Sequence, residues 1–293
     1  GCAESIIAKQ VLMGTSADVA VSASTGCFEV STTIFPYTSW NIPYIHTAFG
    51  NGAATCAGLE TAYKALKKKG KIAEEIKFVN FAGDGATYDI GLQALSGAME
   101  RGHDMVYVCL NNEAYMNTGI QRSSATTLGA STTTSWAGLA QPGKTECSKD
   151  LTAIMVAHNI PYVAQVSPHN WRDTVTKASK AFDVKGPAFI NAVSPCPRGW
   201  RFPSDRTMDL ARLAVETCVW PLFEVVDGNY TLTGESAKIA NGKAEKKPIS
   251  EWFEAQGRFK HLVGEKWASV AEQYQAEVDK KWAKLVKLSE TEF

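Results

Sequence analysis

Neither sign of charge is in excess in this sequence. Its 293 residues include 30 lysines and arginines and 30 aspartates and glutamates, so the formal net charge is zero. Proteins that bind nucleic acids or anionic membrane surfaces usually carry an excess of positive charge. We therefore expect neither kind of partner.

Long hydrophobic runs are also missing. No apolar run approaches the roughly 18 residues that a membrane-spanning helix needs, and the first residues do not have the pattern of a secretory signal peptide. The chain starts at Gly1 rather than at a methionine. We therefore expect the native protein to have a few more residues before this point.

Cysteine is too sparse for a small secreted disulfide scaffold. The seven cysteines lie far apart, at positions 2, 27, 56, 109, 147, 196 and 218. A reducing cytoplasm is therefore the expected location, with some thiols acting as metal ligands. With 45% hydrophobic residues, the chain is long enough to bury a sizeable core in one or two domains.

The stretch from Lys77 to Gly119 predicts a βαβ unit. Its parts are an apolar run over 78–82, Gly83-Asp84-Gly85, helical spacing over 90–99, a second apolar run over 105–110, and Asn111-Asn112. Both apolar runs have the length and composition of buried strands. Because ligands collect at the carboxyl ends of parallel strands, the polar residues after each strand indicate a site.

The residue types at these strand ends suit a metal and a diphosphate. Mg²⁺ prefers oxygen ligands and usually shares them with substrate phosphates. Asp84 can supply a carboxylate oxygen and Asn112 an amide oxygen. The flanking glycines let backbone N–H groups approach a phosphate at a helix N-terminus, where negative charge is favoured. A lone Gly-Asp-Gly is usually only a turn, but the strands, the helix and the Asn pair together predict a metal–diphosphate site.

This spacing resembles the thiamine diphosphate (TPP) motif, which begins with Gly-Asp-Gly and ends with Asn-Asn. The continuation from Glu113 to Gln121, EAYMNTGIQ, is similar to that of β subunits of the archaeal-type pyruvate:ferredoxin oxidoreductase (pyruvate synthase) family. The resemblance extends from Cys2 to about Glu224 and more loosely to the end of the chain. It implies reversible, TPP- and coenzyme A (CoA)-dependent oxidative decarboxylation of pyruvate to acetyl-CoA and CO₂, with electrons passing through a [4Fe-4S] cluster to ferredoxin.

The resemblance also implies roles for individual residues. Mg²⁺ would be held by the side chains of Asp84 and Asn112 and by the backbone carbonyl of Ala114. The cofactor-binding residues would be Thr25, Gly26, Cys27, Gly83, Asp84, Gly85, Ala86, Asn112, Asn117 and Thr118. Among these, Gly83, Gly85 and Ala86 would donate N–H groups to the diphosphate, and Asn117 would be the catalytic amide near the reacting carbons.

Three cysteines match ligand positions of the family's [4Fe-4S] cluster. Cys2 corresponds to the second member of a C-x-x-C pair, Cys27 to the third ligand and Cys196 to the fourth, whereas the first would fall before residue 1. Either the chain is trimmed, or another ligand completes the site, or the cluster is missing; matching spacings favour trimming. Cys56, Cys109, Cys147 and Cys218 receive no role.

The resemblance implies partner subunits as well as ferredoxin, pyruvate and CoA. One partner would supply the carboxylate that activates TPP, because Glu29, Glu60 and Glu113 do not match that role by motif. Two alternatives stay open: a sister enzyme that acts on oxalate, a branched-chain oxoacid or phenylglyoxylate, and a non-catalytic iron–sulfur scaffold subunit. His46 precedes a glycine-rich helix start, and we interpret it as structural.

Alternating strand and helix patterns predict an α/β fold with a doubly wound, mostly parallel sheet. Residues 1–225 would form the TPP- and cluster-binding domain, and residues 226–293 a C-terminal extension packed on the core or on a partner. Within these, 208–223 predicts a helix, and 251–293 predicts an amphipathic helical arm. The Ser/Thr-rich stretch 123–134 predicts a long loop that covers the cofactor or meets a partner.

Overall fold

Eight strands form one sheet in a computed structural model of the chain, which describes residues 1–291. The last two residues of the predicted C-terminal arm, 292–293, lie outside the described residues. The strands are β1 (Asp18–Ser24), β2 (Tyr44–Thr47), β3 (Ile76–Gly83), β4 (Val106–Asn111), β5 (Tyr162–Val166), β6 (Ala188–Val193), β7 (Phe223–Val226) and β8 (Asn229–Leu232).

Helices connect these strands. They are α1 (Glu4–Leu12), α2 (Cys27–Thr32), α3 (Gly52–Lys68), α4 (Leu92–Glu100), α5 (Leu151–Val156), α6 (Trp171–Asp183), α7 (Pro197–Trp200), α8 (Thr207–Glu216), α9 (Gly234–Ala240), α10 (Ile249–Glu254) and α11 (Ala268–Ser289). A single π-helical turn, Gly85–Asp89, stands between β3 and α4. No helix within residues 1–291 is both long enough and apolar enough to cross a membrane.

The strand order is β2-β1-β3-β4-β6-β5-β7-β8. The first six strands are parallel, and β7 and β8 are antiparallel additions at one edge. This confirms the predicted mostly parallel sheet. The chain moves from β1 outward to β2 and then returns to place β3 on the other side of β1. This reversal is a topological switch point, the usual place for a ligand in an open α/β sheet.

Both faces of the sheet are covered, as expected for a doubly wound fold. Side chains alternate along β3, so Val79 and Phe81 join the cluster under α1 and α6, while Phe78 and Ala82 join the cluster under α3, α4 and α5. This alternation follows from the two-residue period of a strand. Burial on both faces explains why the strands appear as short, nearly continuous apolar runs.

The predicted helix over 208–223 was partly wrong. The helix ends at Glu216, and Phe223 begins β7 instead. The Thr217 hydroxyl donates to the Leu213 carbonyl at 2.7 Å, Cys218 has a left-handed backbone with φ of 58°, and Pro221 has no N–H for a further helical turn. These three features end the helix and redirect the chain to the sheet edge.

The C-terminal region is helical as predicted, but it is not continuous. Helix α10 is followed by 3₁₀ turns at Gly257–Leu262 and Glu265–Trp267 before α11 begins. Buried residues of α11, among them Tyr274, Val278 and Leu285, pack against the chain's own core. Strand β8 pairs with β7, so residues beyond 226 contribute to the sheet. The boundary between 225 and 226 stays a prediction.

Candidate active site

A cavity of about 310 Å³ opens at the carboxyl ends of β1, β3 and β4. Ligand-binding cavities in proteins begin at roughly this size. Nine of the residues that the sequence predicts for the site line it: Thr25, Gly26, Cys27, Gly83, Gly85, Asn112, Ala114, Asn117 and Thr118. The structure therefore brings together three chain segments, each of which follows a strand.

Asp84 lies buried beneath this cavity, immediately after β3. Its Oδ2 accepts a hydrogen bond from the Ser123 hydroxyl at 2.5 Å, whereas its Oδ1 is buried without a partner in the described structure. Burial raises the pKa of the Asp84 carboxyl to about 8, and the hydrogen bond from Ser123 partly offsets that rise. A buried carboxylate oxygen without a donor is costly, so this atom suits a bound cation.

Asn112 follows β4 and is also buried. Its side-chain amide donates to Glu4 Oε1 at 2.9 Å, and its Oδ1 accepts from the Ala114 N–H at 3.3 Å. Glu113, between these two, has a left-handed backbone with φ of 63°. The turn 112–114 therefore holds the amide oxygen of Asn112 and the backbone of Ala114 at one wall of the cavity. Oxygen atoms of these two kinds are ligands that hard cations prefer.

The segment after β3 has the features of a phosphate site. A side chain at Gly83 would meet nothing within 4 Å, so this position opens into the cavity. At Gly85 an added Cβ would lie 2.6 Å from the Tyr115 ring, so that ring can pack here only against a glycine. Ala86 is buried in the π-helical turn and does not line the cavity. Its contribution can come only from its backbone N–H, at the positive end of the helical segment.

The three matched cysteines are close enough to affect each other's ionisation. Burial raises the pKa of the Cys27 thiol to about 12; charge on Glu4, Cys196 and Cys2 adds to the rise, and a hydrogen bond from Asn117 opposes it. Burial likewise raises the pKa of Cys2 to about 11, with charge on Glu4 and Cys196 adding to it. Only Cys27 lines the cavity.

The oxygen atoms of Asp84, Asn112 and Ala114 and the three matched thiols are two different kinds of potential metal ligand. Within residues 1–291, no group of three or more His, Cys, Asp and Glu side chains is arranged to hold a metal ion. The proposed oxygen ligands would not form such a group, because only one of them is a carboxylate and the other two are a side-chain amide and a backbone carbonyl. A [4Fe-4S] cluster separates its thiolates more widely than a single ion does, and it uses four of them. The sequence supplies three free cysteines at the matched positions, one fewer than the four ligands that such a cluster uses.

Glu4 was missed in the sequence. It lies in the first turn of α1, is 3% exposed, and lines the cavity. Its Oε1 accepts from Asn112, its Oε2 is buried without a partner in the described structure, and burial raises its pKa to about 7. Its position two residues after Cys2 was the available signal. The contact with Asn112 joins chain segments more than a hundred residues apart, which no local pattern reveals.

Two further predicted positions have local partners. The Thr25 hydroxyl hydrogen-bonds to His46 Nε2 at 2.7 Å, and the same nitrogen lies 3.6 Å from a Glu29 carboxylate oxygen. His46 thus orients a residue at the cavity wall, in keeping with a structural role. The Thr118 hydroxyl donates to Gln121 Oε1 at 2.6 Å, which fixes the segment that carries Asn117.

Comparison with known families agrees with this geometry. The family model described as "Thiamine pyrophosphate enzyme, C-terminal TPP binding domain" matches residues 24–192. A structure of 2-oxoglutarate:ferredoxin oxidoreductase from Magnetococcus marinus, with 2-oxoglutarate, coenzyme A and succinyl-CoA bound, has a similar fold. Its TM-score is 0.55 at 22% identity, covering 72% of this chain and 75% of that chain.

Curated relatives cover nearly the whole chain. Pyruvate synthase subunit PorB of Methanosarcina barkeri is 48% identical over 89% of this chain and 85% of its own length. The PorB subunit of Thermotoga maritima is 46% identical over 99% of this chain and 89% of its own length. Ketoisovalerate oxidoreductase subunit VorB of Pyrococcus horikoshii is 42% identical over 99% and 90%, respectively. The chain therefore belongs to the family of pyruvate synthase PorB subunits, and it contains the TPP-binding domain of the thiamine diphosphate enzymes.

Proposed function

We propose that this chain is the TPP- and cluster-binding subunit of a pyruvate:ferredoxin oxidoreductase. The reaction is the reversible oxidative decarboxylation of pyruvate with CoA to acetyl-CoA and CO₂, with ferredoxin as the electron acceptor. Names of relatives at 46–48% identity support pyruvate as the substrate. All seven cysteines are free thiols, which agrees with a reducing cytoplasm.

The observation that carries this proposal is the unpartnered Oδ1 of Asp84. It is fully buried at the switch point of the sheet, below a cavity whose walls include Asn112 and Ala114. Mg²⁺ held by the Asp84 and Asn112 side chains and by the Ala114 carbonyl would satisfy that oxygen. The cation would also neutralise a carboxylate that burial otherwise keeps protonated.

The remaining cavity residues would bind and orient TPP. Backbone N–H groups of Gly83, Gly85 and Ala86 would donate to the diphosphate, while Thr25, Gly26 and Cys27 would border the cofactor on the opposite side. Asn117 and Thr118, at the exposed mouth, would face the reacting end, where the Asn117 amide could donate to substrate. When bound, TPP supplies the nucleophilic carbon and the electron sink that decarboxylation of a 2-oxoacid requires.

The thiols of Cys2, Cys27 and Cys196 would hold three corners of a [4Fe-4S] cluster next to TPP. A cluster of this kind uses four ligands, so one ligand besides these three thiols would complete it. Their mutual effect on ionisation supports this grouping. A cluster beside the cofactor would give the electrons a short path out of the active site.

Partner subunits would complete the active site. The loop after α2 exposes Ile34, Phe35 and Tyr37 by 65%, 93% and 77%, and Leu139 is 89% exposed. Apolar side chains this open to water favour a protein contact. Helix α2 starts at Cys27, so a subunit that covers this loop could bring the TPP-activating carboxylate to the cavity.

A second candidate is an enzyme of the same kind acting on a branched-chain 2-oxoacid. The 42% identity to a VorB subunit over 99% of this chain favours it over other sister enzymes. Among residues 1–291, no cationic side chain that would bind the substrate carboxylate lines the cavity. The choice between the two substrates would therefore rest on a partner subunit.

The test is an anaerobic assay of the complex that co-purifies with this chain. Benzyl-viologen reduction would be followed with TPP and CoA, with pyruvate, 2-oxoisovalerate, phenylglyoxylate and oxalate in parallel. We expect pyruvate to be the best substrate and Asp84→Ala to abolish reduction. A preference for another oxoacid would transfer the proposal to the second candidate. If a complex that contains TPP and the cluster reduces no viologen with any of these substrates, the chain is instead the non-catalytic iron–sulfur scaffold subunit.

A further inference from the structure

A buried ion pair joins the C-terminal region to the turn 112–114. Arg258 Nη1 donates to Glu113 Oε2 at 2.7 Å, and both residues are 3% exposed. Glu113 lies between the two proposed metal-ligating residues, Asn112 and Ala114. The inference drawn from this pair rests on the proposed function, because it concerns the metal that this turn would bind.

Glu113 is held at each of its polar groups. Its N–H donates to Asn111 Oδ1 at 3.0 Å, its carbonyl accepts from the Thr126 hydroxyl at 2.6 Å, and its carboxylate also accepts from the Thr127 hydroxyl at 3.3 Å. A non-glycine residue in the left-handed region persists only when its surroundings impose that conformation. The surroundings here are the ion pair and these three hydrogen bonds.

Arg258 reaches the same turn by a second route. Its guanidinium lies over the Trp200 ring, 3.9 Å from the ring centre, and the Trp200 indole N–H donates to the Asn112 carbonyl at 2.9 Å. Its Nε also donates to Gln256 Oε1 at 2.7 Å. A planar guanidinium can make the ion pair, the stacking contact and the Gln256 hydrogen bond at once, whereas an ammonium group cannot.

The ion pair also separates the Glu113 carboxylate from the metal site. Glu113 does not line the cavity above Asp84; it borders a second cavity, of about 160 Å³, beneath α11. A free carboxylate between two metal ligands would compete with them for the cation. The charge of Arg258 keeps this one engaged on the other side of the turn.

We infer that Arg258 and Glu113 are positioning residues that fix the turn 112–114 so that the Asn112 amide oxygen and the Ala114 carbonyl can bind the metal of Mg²⁺–TPP. The C-terminal region thereby acts on the cofactor site, although it contributes no ligand to it. Loss of the pair weakens metal and TPP binding while the ligands themselves remain.

The test uses the complex with its partner subunits, stripped of metal and TPP. Mn²⁺ with TPP is the probe, and electron paramagnetic resonance measures the bound ion. Arg258→Lys keeps the charge but loses the fork and the stacking. Thr127→Val removes one hydrogen bond to Glu113 and leaves no unpaired charge, so it folds even where the arginine variant does not. Lys177→Met is the matched control: Lys177 is 1% exposed and pairs with Asp173 at 2.8 Å, in α6.

We expect Arg258→Lys to weaken Mn²⁺–TPP binding by about tenfold or more, the usual effect of changing a residue that orients metal ligands. Thr127→Val should weaken it by about threefold. Excess Mn²⁺ and TPP should restore kcat in both, because only the affinity is lost. Lys177→Met should lower the thermal stability and leave Mn²⁺–TPP binding within twofold of the wild type.

Wild-type Mn²⁺–TPP affinity in assembled Arg258→Lys and Thr127→Val complexes would overturn the inference and leave the ion pair with a role in stability alone. Equal loss of affinity in Lys177→Met would overturn it as well, because any destabilised complex would then behave this way. A wild-type complex that binds no Mn²⁺ with TPP would contradict the proposed function itself, and that result is distinct from the other two.

Discussion

The oxygen half of the candidate site, formed by Asp84, Asn112 and Ala114, is buried, whereas the thiol half, formed by Cys2, Cys27 and Cys196, is partly exposed. The oxygen half comes from one βαβ unit and the turn that follows it. The thiol half comes from three distant segments: Cys2 lies two residues before the start of α1, Cys27 is the first residue of α2, and Cys196 immediately precedes α7.

This difference shows how much of each half the chain builds before any cofactor binds. In the oxygen half, contacts with Ser123, Glu4 and the Arg258–Glu113 pair already hold the proposed ligands in place. In the thiol half, partial burial raises the pKa of Cys2 to about 11 and that of Cys27 to about 12, so both are protonated at neutral pH. A cluster at the proposed site would have to displace those protons, and it would need one ligand besides these three cysteines. The oxygen half is therefore preorganised, whereas the proposed thiol half would be completed only when a cluster binds.

The largest effect is expected when the oxygen half alone is broken. Asp84→Asn preserves the shape of the side chain and can still accept the hydrogen bond from Ser123, but it removes the negative charge that would balance the metal. We expect Mn²⁺–TPP affinity and pyruvate-dependent viologen reduction to fall by more than about 100-fold, with the visible absorbance of the cluster unchanged. Loss of the cluster together with TPP would show that the two halves depend on each other.

Breaking the thiol half should give the reverse pattern. Cys196 does not line the cavity, and its Sγ accepts from the Gly199 N–H at 3.4 Å. We expect Cys196→Ala to lose the cluster absorbance and the electron transfer to viologen, while Mn²⁺–TPP affinity stays within about threefold of the wild type. Cys218→Ala, at a buried cysteine without a proposed role, is the control and should keep both cofactors.

Glu4 tests the contact between the halves. It accepts from Asn112 and adds negative charge near all three thiols. Glu4→Gln keeps the size of the side chain but weakens this acceptor, so we expect about a tenfold loss of Mn²⁺–TPP affinity, the cost of one hydrogen bond to a charged group. Unchanged affinity, measured by the same resonance titration, would mean that Asn112 is oriented without Glu4.

The sequence was sufficient to predict the parallel part of the sheet and the grouping of nine predicted residues around one cavity, because these depend on local patterns. The run before Asp84, the helical spacing after it and the Asn pair each lie within a few residues of the feature that they predict. Glu4, Arg258 and the edge strands β7 and β8 could not be predicted in this way. Each is defined by packing against residues far away in the chain: Glu4 against Asn112, Arg258 against Glu113, and β7 against β5.

The smallest effect concerns the segment that supports the oxygen half. Lys144 is 1% exposed, and its Nζ donates to the Thr126 carbonyl at 2.5 Å; Thr126 in turn bonds the Glu113 carbonyl. Burial lowers the pKa of Lys144 to about 8, whereas an unfolded chain would keep this proton up to about pH 10.4.

Between these two pKa values the unfolded state binds more protons than the folded state, so the contribution of Lys144 to stability rises with pH. We compare the free energy of unfolding of the wild type with that of Lys144→Met, measured by urea unfolding of both proteins at pH 8 and at pH 9. We expect this difference to shift by about 1 kcal/mol in favour of the wild type as the pH rises from 8 to 9. Because Lys144→Met keeps the ligands of both halves, Mn²⁺–TPP affinity should change little at either pH. Parallel pH curves for the two proteins would mean that Lys144 stays charged in the folded protein. In that case Lys144 would support the oxygen half as a buried ammonium group held by carbonyl oxygens, and not as a neutral amine.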